Sequence, residues 1–419
     1  MGIFTYYGHP VLNADAYNFV TTSVCLKYGG ELTNPLFKLA AHTDPSGQMR
    51  HMHYPPLFSC AVAALMWGKQ SYISVYWALY IINVLNICLF ALVLYKVYLA
   101  SKYPIALAAA AIVLLCVYLL SFLGRPEALA LCMLWAGIIL YLYNINIFYW
   151  TSGILLSMIM YTGIVPFVYG LLMYMMACAA NKVTKSTLII SIFVFLCTSV
   201  CIALLLPYPI TDFIYGIAKH IYMIQAGPCT WSRFVFYHLL NKSIIGYFVL
   251  LLFFYYHIIK SWKGNIYTSA ICILFILVNI ISFRAMGGVY NTYFILPILL
   301  IYYLSTYKNN DISHKVGIAA VVMATAGYMK QIVYFVLYIG FGTSIHDAYT
   351  SINSINISSN CKGIDPRLFL FFNNYNNIYN IKVLNKNACS PKIYFNHERN
   401  ATINNVRIDV PSYEVYVTE

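Results

Sequence analysis

Long apolar runs alternate with short polar connections along this chain, and the runs set its architecture. A bilayer crossing takes roughly 20 apolar residues in helical form. Runs approaching that length fall at 72–98, 103–123, 128–143, 147–165, 167–180, 187–206, 244–259, 267–283, 291–304 and 315–340. They predict about ten spans, several short enough to imply tilt or local thinning of the bilayer. The run 57–67 is too short to cross and predicts a helix lying in the outer interface. A second amphipathic stretch at 214–224 predicts another surface helix. The expected fold class is therefore an all-α polytopic membrane protein with about ten transmembrane helices, outer interfacial helices and a small soluble C-terminal tail. Residues 1–71 form an extracytoplasmic loop with its interfacial helix, 72–342 the transmembrane core, and 343–419 an extracytoplasmic tail. That tail is rich in Asn, Tyr, Ser and Ile, and reads as a small β-containing or irregular appendage.

Composition supports the bilayer as solvent. The chain is 61% hydrophobic and 9% charged, where a soluble domain carries about 25% charged residues. Its mean hydropathy is +0.72. The net charge of +13 is not a nucleic-acid footprint, because the excess lies in the hydrophobic body. There only Glu127, Asp212 and Asp311 oppose the basic residues. Lys96 with Lys102, Lys182 with Lys185, Lys260 with Lys263, and Lys308 with Lys315 fall in alternate connections. Placing those in the cytoplasm leaves the N-terminal loop, Gly124 to Glu127, Pro166, 207–243, 284–290 and the tail outside. No signal peptide is evident. The 12 cysteines include no CxxC pair, and most sit in apolar runs as small hydrophobes. Cys361 and Cys389 lie in the tail and are candidates to pair in an oxidising compartment. Walker, dinucleotide-binding and HExxH motifs are all missing from the sequence.

Charged and polar side chains at the outer connections are few, and a charge at a membrane boundary is a functional candidate because desolvating it is costly. Asp15, in Asn13-Ala14-Asp15-Ala16-Tyr17, is a candidate general base toward a hydroxyl, or the cap of a helix over 16–27. In Gly124-Arg125-Pro126-Glu127 the guanidinium suits a phosphate by a bidentate fork. The alternative is a structural pair with Glu127, whose carboxylate favours the following helix N-terminus, behind a proline that starts helices readily. Arg284 opens a further connection with Gly287, Gly288, Tyr290 and Asn291, where the glycines permit close backbone approach. Lys219, His220, Arg233 and Lys242 add positive charge outside, either as an anion-attracting floor or as snorkelling side chains. His51 and His53 would share one face of a strand, but a metal site needs a third ligand. Lys330 is the one polar group that stands out within an apolar run.

An acidic residue in the first outer loop, followed by Tyr54-Pro55-Pro56-Leu57, a span and a basic cytoplasmic turn, resembles the GT-C superfamily of integral-membrane glycosyltransferases. The group includes protein O-mannosyltransferases and the aminoarabinose transferases of lipid A. Gly124 to Glu127 and the run from Gly287 to Phe294 are similar to later outer loops of its members, so the resemblance covers about residues 10–305. It implies a polyprenyl- or dolichyl-phosphate sugar held between helices and transferred with inversion to an acceptor hydroxyl on the extracytoplasmic side. The acceptor is a glycan, a lipid or a protein. By that resemblance Asp15 is the base, Arg125 and Arg284 hold the lipid phosphate, and His53 and Tyr54 shape the sugar pocket. Glu127, Tyr290 and Asn291 line the substrate site. No metal ligand is assigned, and a divalent metal is a candidate cofactor only. Members usually begin with a span before the acidic loop, and often carry two adjacent acids. This chain begins inside that loop, and Asp15 lies between alanines, as expected of a missing N-terminal helix or a divergent copy. The expected location is a multi-pass site in a bacterial inner membrane or endoplasmic reticulum. The alternatives are a polysaccharide polymerase or ligase using lipid-diphosphate-linked glycans, and a non-enzymatic transporter or scaffold. A transporter would show polar groups near the midplane.

Overall fold

The computed structural model describes residues 16–30, 32–34, 54–68, 71–100, 124–181, 183–206, 208–225, 270, 273–274 and five short strands after residue 361. Before residue 226 the described elements are helices, with a single bridge residue at Thr33. Its elements are α1 (Tyr17–Gly29), α2 (Leu57–Leu65), α3 (Ser71–Ala100), α4 (Pro126–Tyr143), α5 (Ile145–Met160), α6 (Ile164–Asn181), α7 (Lys185–Leu205) and α8 (Ile210–Gln225). Among the described residues, three helices are long and apolar enough to cross a membrane: Ile73–Val93 within α3, Pro126–Tyr143, and Lys185–Leu205. This is compatible with a membrane protein. The expected runs at 103–123, 244–259, 291–304 and 315–340 lie outside the described residues, as does nearly all of 267–283.

Local chemistry explains the helix ends. Gly30, at φ 72°, closes α1 in the left-handed conformation and donates its N–H to Leu26 O. Asn144 separates α4 from α5, and its side-chain oxygen accepts from the N–H of Asn146 and of Ile147 at 3.0 and 3.3 Å. Thr184 caps α7 through the Thr187 N–H. The apolar pattern at 147–165 reads as one helix, yet the chain turns at Tyr161-Thr162-Gly163, where the N–H groups of Thr162 and Gly163 both reach back to Ile159 O. Pro166, expected in an outer connection, instead sits in the first turn of α6, where its missing N–H costs nothing.

The helices pack through small and hydroxyl-bearing residues. A Cβ on Gly153 of α5 would stand 2.6 Å from Ser191 O and 2.8 Å from Phe195 N, so α7 lies directly against that glycine. Ser191 Oγ shares one proton between Tyr149 O at 2.7 Å and Thr187 O at 3.0 Å. Ser157 and Ser199 meet at 2.9 Å, and Tyr161 donates to Ser199 O at 3.1 Å. Lipid tails are as apolar as leucine, so close backbone approach and interhelical hydrogen bonds, rather than the hydrophobic effect, hold helices together in a bilayer. Helix α4 is the hub. It packs on α3 through Phe90 against Trp135, ring centroids 4.7 Å apart, and on α5 through Tyr141 against Phe148 at 5.5 Å.

The five strands are β1 (Lys362–Ile364), β2 (Ile378–Asn380), β3 (Lys392–Phe395), β4 (Asn405–Val410) and β5 (Tyr413–Thr418). They form one mixed sheet in the order β2-β1-β3-β5-β4. β1 runs parallel to β2 and β3, and β5 runs antiparallel to β3 and β4.

Candidate functional site

Several connections meet at one end of the helical part. Leu57 N–H donates to Tyr161 O at 2.9 Å, which fastens the Tyr54-Pro55-Pro56-Leu57 stretch to the α5–α6 turn. Around this bond Leu32, Tyr161, Tyr208 and Phe213 form a buried cluster, with Leu26 and Cys60 packed against it. Tyr161 and Phe213 stack with centroids 5.5 Å apart. The end of α1, the start of α2, the α5–α6 turn, the end of α7 and the start of α8 therefore share this site. Helix α4 runs antiparallel to α5, because Met133 faces Thr162 while Tyr141 faces Phe148 near the start of α5, so its start points toward this end, about two turns beyond the Met133 contact.

Gly124, at φ 79°, makes the turn that leads into α4. Arg125 is extended at the N-cap, Pro126 follows at the first helical position, and Glu127 stands in the first turn. The Arg125 guanidinium donates to both Glu127 oxygens, Nη2 to Oε1 at 2.9 Å and Nε to Oε2 at 3.2 Å. The two side chains are 12% and 13% exposed. The structural pairing weighed for this motif is thus present. One turn further along α4, Asn86 of α3 donates to Ala128 O at 3.2 Å and ties α3 to the same helix start.

Tyr54 packs edge-on against Phe19 of α1, centroids 4.6 Å apart. Ser59 and Ser23 both donate to Phe19 O at 3.0 Å. Helix α1 is more deeply enclosed than a loop element would be: Ala16, Val20, Thr21, Thr22, Ser23 and Val24 are wholly buried. Its N-cap position is Ala16, with no side-chain cap. Asp15, the residue before it, lies outside the described residues, as do His53, Arg284, Tyr290 and Asn291. Arg125 and Glu127 are brought together, and Tyr54 sits beside α1 at the end of the bundle that carries them.

Burial raises the Tyr161 hydroxyl and the Cys60 thiol above their ordinary values of 10.0 and 9.0, so both groups stay neutral here. Among the described residues no group of three or more His, Cys, Asp or Glu is arranged to hold a metal ion. Lys330, the polar group within an apolar run, lies outside the described residues, and α3 carries two buried amides, Asn83 and Asn86. The side-chain nitrogen of Asn83 has no hydrogen-bond partner. Two asparagines three positions apart in an apolar helix were the available signal. Comparison with known protein families, curated proteins and solved structures finds no match to this chain.

Proposed function

We propose that this protein is a multi-pass membrane glycosyltransferase that moves a sugar from a polyprenyl- or dolichyl-phosphate donor to an acceptor hydroxyl at the extracytoplasmic face. One observation carries the reading. The ion-paired, largely buried Arg125 starts α4 at the same end of the bundle where the Tyr54-Pro55-Pro56-Leu57 stretch docks. Transfer from a lipid phosphate needs a base for the acceptor and positive charge for the departing phosphate. In this reading Asp15, next to the buried start of α1, is the base, and Arg125 and Arg284 hold the phosphate. Glu127 orients the Arg125 guanidinium; His53, Tyr54, Tyr290 and Asn291 line the sugar pocket.

The test uses the full chain in vesicles and follows release of polyprenyl phosphate, the product that donors of this class leave behind. Asp15→Asn should abolish release while the protein still inserts; retained turnover in that variant removes the base assignment. Arg125→Ala should weaken binding of polyprenyl phosphate, and an unchanged affinity would count against the phosphate role. The buried side-chain nitrogen of Asn83, which has no hydrogen-bond partner, favours a second reading, a transporter with a polar site within the bundle. In that case Asn83→Leu abolishes solute flux into vesicles and no lipid phosphate is released.

A further inference from the structure

We infer that α8 lies flat in the outer headgroup layer of the bilayer, with its isoleucine face against lipid acyl chains and its polar face toward water. The inference rests on the membrane reading alone and not on glycosyl transfer. Steps of four and three residues keep to one side of a helix, so Ile210, Ile214, Ile217, Ile221 and Ile224 share a face of α8. Asp212, Tyr215, Lys219 and Tyr222 follow the same rhythm on the opposite face. A third sector holds Phe213 and Gly216, both buried. It faces the bundle, since Phe213 stacks on Tyr161. Ile217 packs against the same cluster, whereas Ile210 and Ile214 stay exposed beside it.

Helix α7 sets the level of α8. Its span Lys185–Leu205 is about 31 Å long at 1.5 Å per residue, which matches a hydrocarbon core of about 30 Å. Lys182 and Lys185 put its start at the cytoplasmic boundary, so Leu205 reaches the outer one. Tyr161 ties α8 to that level, because its hydroxyl donates to Ser199 O in the last two turns of α7 while its ring stacks on Phe213. Phe213 and Ile217 stand one turn apart yet both meet the Tyr161 cluster, so α8 runs along the bundle end instead of rising away from it. Helix α3 sets no competing level. Its contacts Ile82–Cys132, Asn86–Ala128 and Phe90–Trp135 follow no single direction along α4, as a steep crossing requires.

A helix held at such a boundary, with opposed apolar and polar faces, buries the apolar one about 5–10 Å into the acyl region. Lipid is the occupant that this position supplies. Leu204 and Leu205 are exposed where α7 ends, and only 6% of that span is buried, so on the membrane reading acyl chains reach the bundle where α8 begins.

The test places the whole chain in phosphatidylcholine vesicles, with a benzophenone amino acid at one position at a time. At Ile214, irradiation should add the mass of one phospholipid, attached at the glycerol or the upper acyl carbons. Tyr215 is almost as exposed, 51% against 61%, but on the polar face it should give several-fold less lipid adduct. Phe193, exposed within the α7 span, should attach nearer the acyl chain ends. A chain-to-chain adduct or no adduct at Ile214, equal yields at Ile214 and Tyr215, or attachment of Ile214 at the chain ends overturns the proposal. If Phe193 still captures lipid in that event, the interfacial placement of α8 alone is wrong; if Phe193 captures none, the membrane reading falls with it.

Discussion

At the residue scale, Arg125 and Glu127 form a structural ion pair to which the proposed function adds a chemical role. Glu127→Gln removes the charge that pairs a guanidinium only 12% exposed. Leaving such a group without its ionised partner costs about 1–3 kcal/mol, read as a lowered unfolding midpoint in detergent. The double variant Arg125→Met with Glu127→Met should recover most of that loss, because an apolar pair of similar size avoids the desolvation penalty. If Arg125 also binds lipid phosphate, the double variant stays folded yet no longer binds polyprenyl phosphate, which separates the two roles. Gly153 makes a purely steric counterpart. Gly153→Ala forces its Cβ onto the α7 backbone and should cost about 1–3 kcal/mol. Gly137→Ala has its tightest contact with the flexible end of Met173 at 3.3 Å, and meets Leu155 and Phe148 at ordinary distances of 3.6 and 3.9 Å. It should be near neutral in the same melt.

At the scale of elements, helix positions were legible and their endings less so. Runs at 72–98, 128–143 and 187–206 match Ser71–Ala100, Pro126–Tyr143 and Lys185–Leu205 closely, because an unbroken apolar run has few other ways to satisfy its backbone. The α5–α6 boundary was misplaced since apolar character runs straight through it, and only Gly163 and Pro166 mark the break. The α5–α7 contact was not legible at all. It depends on Gly153 and Ser191 meeting across a distance in sequence that no periodicity reports. Ser191→Ala deletes the hydroxyl that reaches Tyr149 O, and interhelical bonds of this kind average about 0.6 kcal/mol in membranes. A loss of that order in the unfolding free energy is expected, and no loss would show that backbone packing alone joins these helices.

On the scale of the whole molecule, one end of the bundle gathers segments far apart in the chain, and its stability should respond to alkali. Tyr161 and Cys60 both have values raised by burial. Below the ordinary values each is neutral in the folded and unfolded chain alike. As pH rises past about 9 to 10 the unfolded chain ionises first, so the folded state is disfavoured. The unfolding midpoint should fall across that range, and Tyr161→Phe should flatten part of the fall. Of the candidate site, the sequence makes the Arg125–Glu127 pair legible as one of two options. A helix over 16–27 is allowed by the sequence, but its enclosure is not legible there, because Thr21, Thr22 and Ser23 read as solvent-facing until a second helix covers them.

Composition and periodicity were enough to establish that this chain makes apolar helices suited to a bilayer, because so few charges cannot clothe a water-facing surface and each helix satisfies its own backbone. Which helices touch, which end collects Tyr54, Arg125 and Tyr161, and which faces remain exposed came only from the folded arrangement. Those properties depend on close approach between residues distant in order, and a linear pattern carries no measure of that.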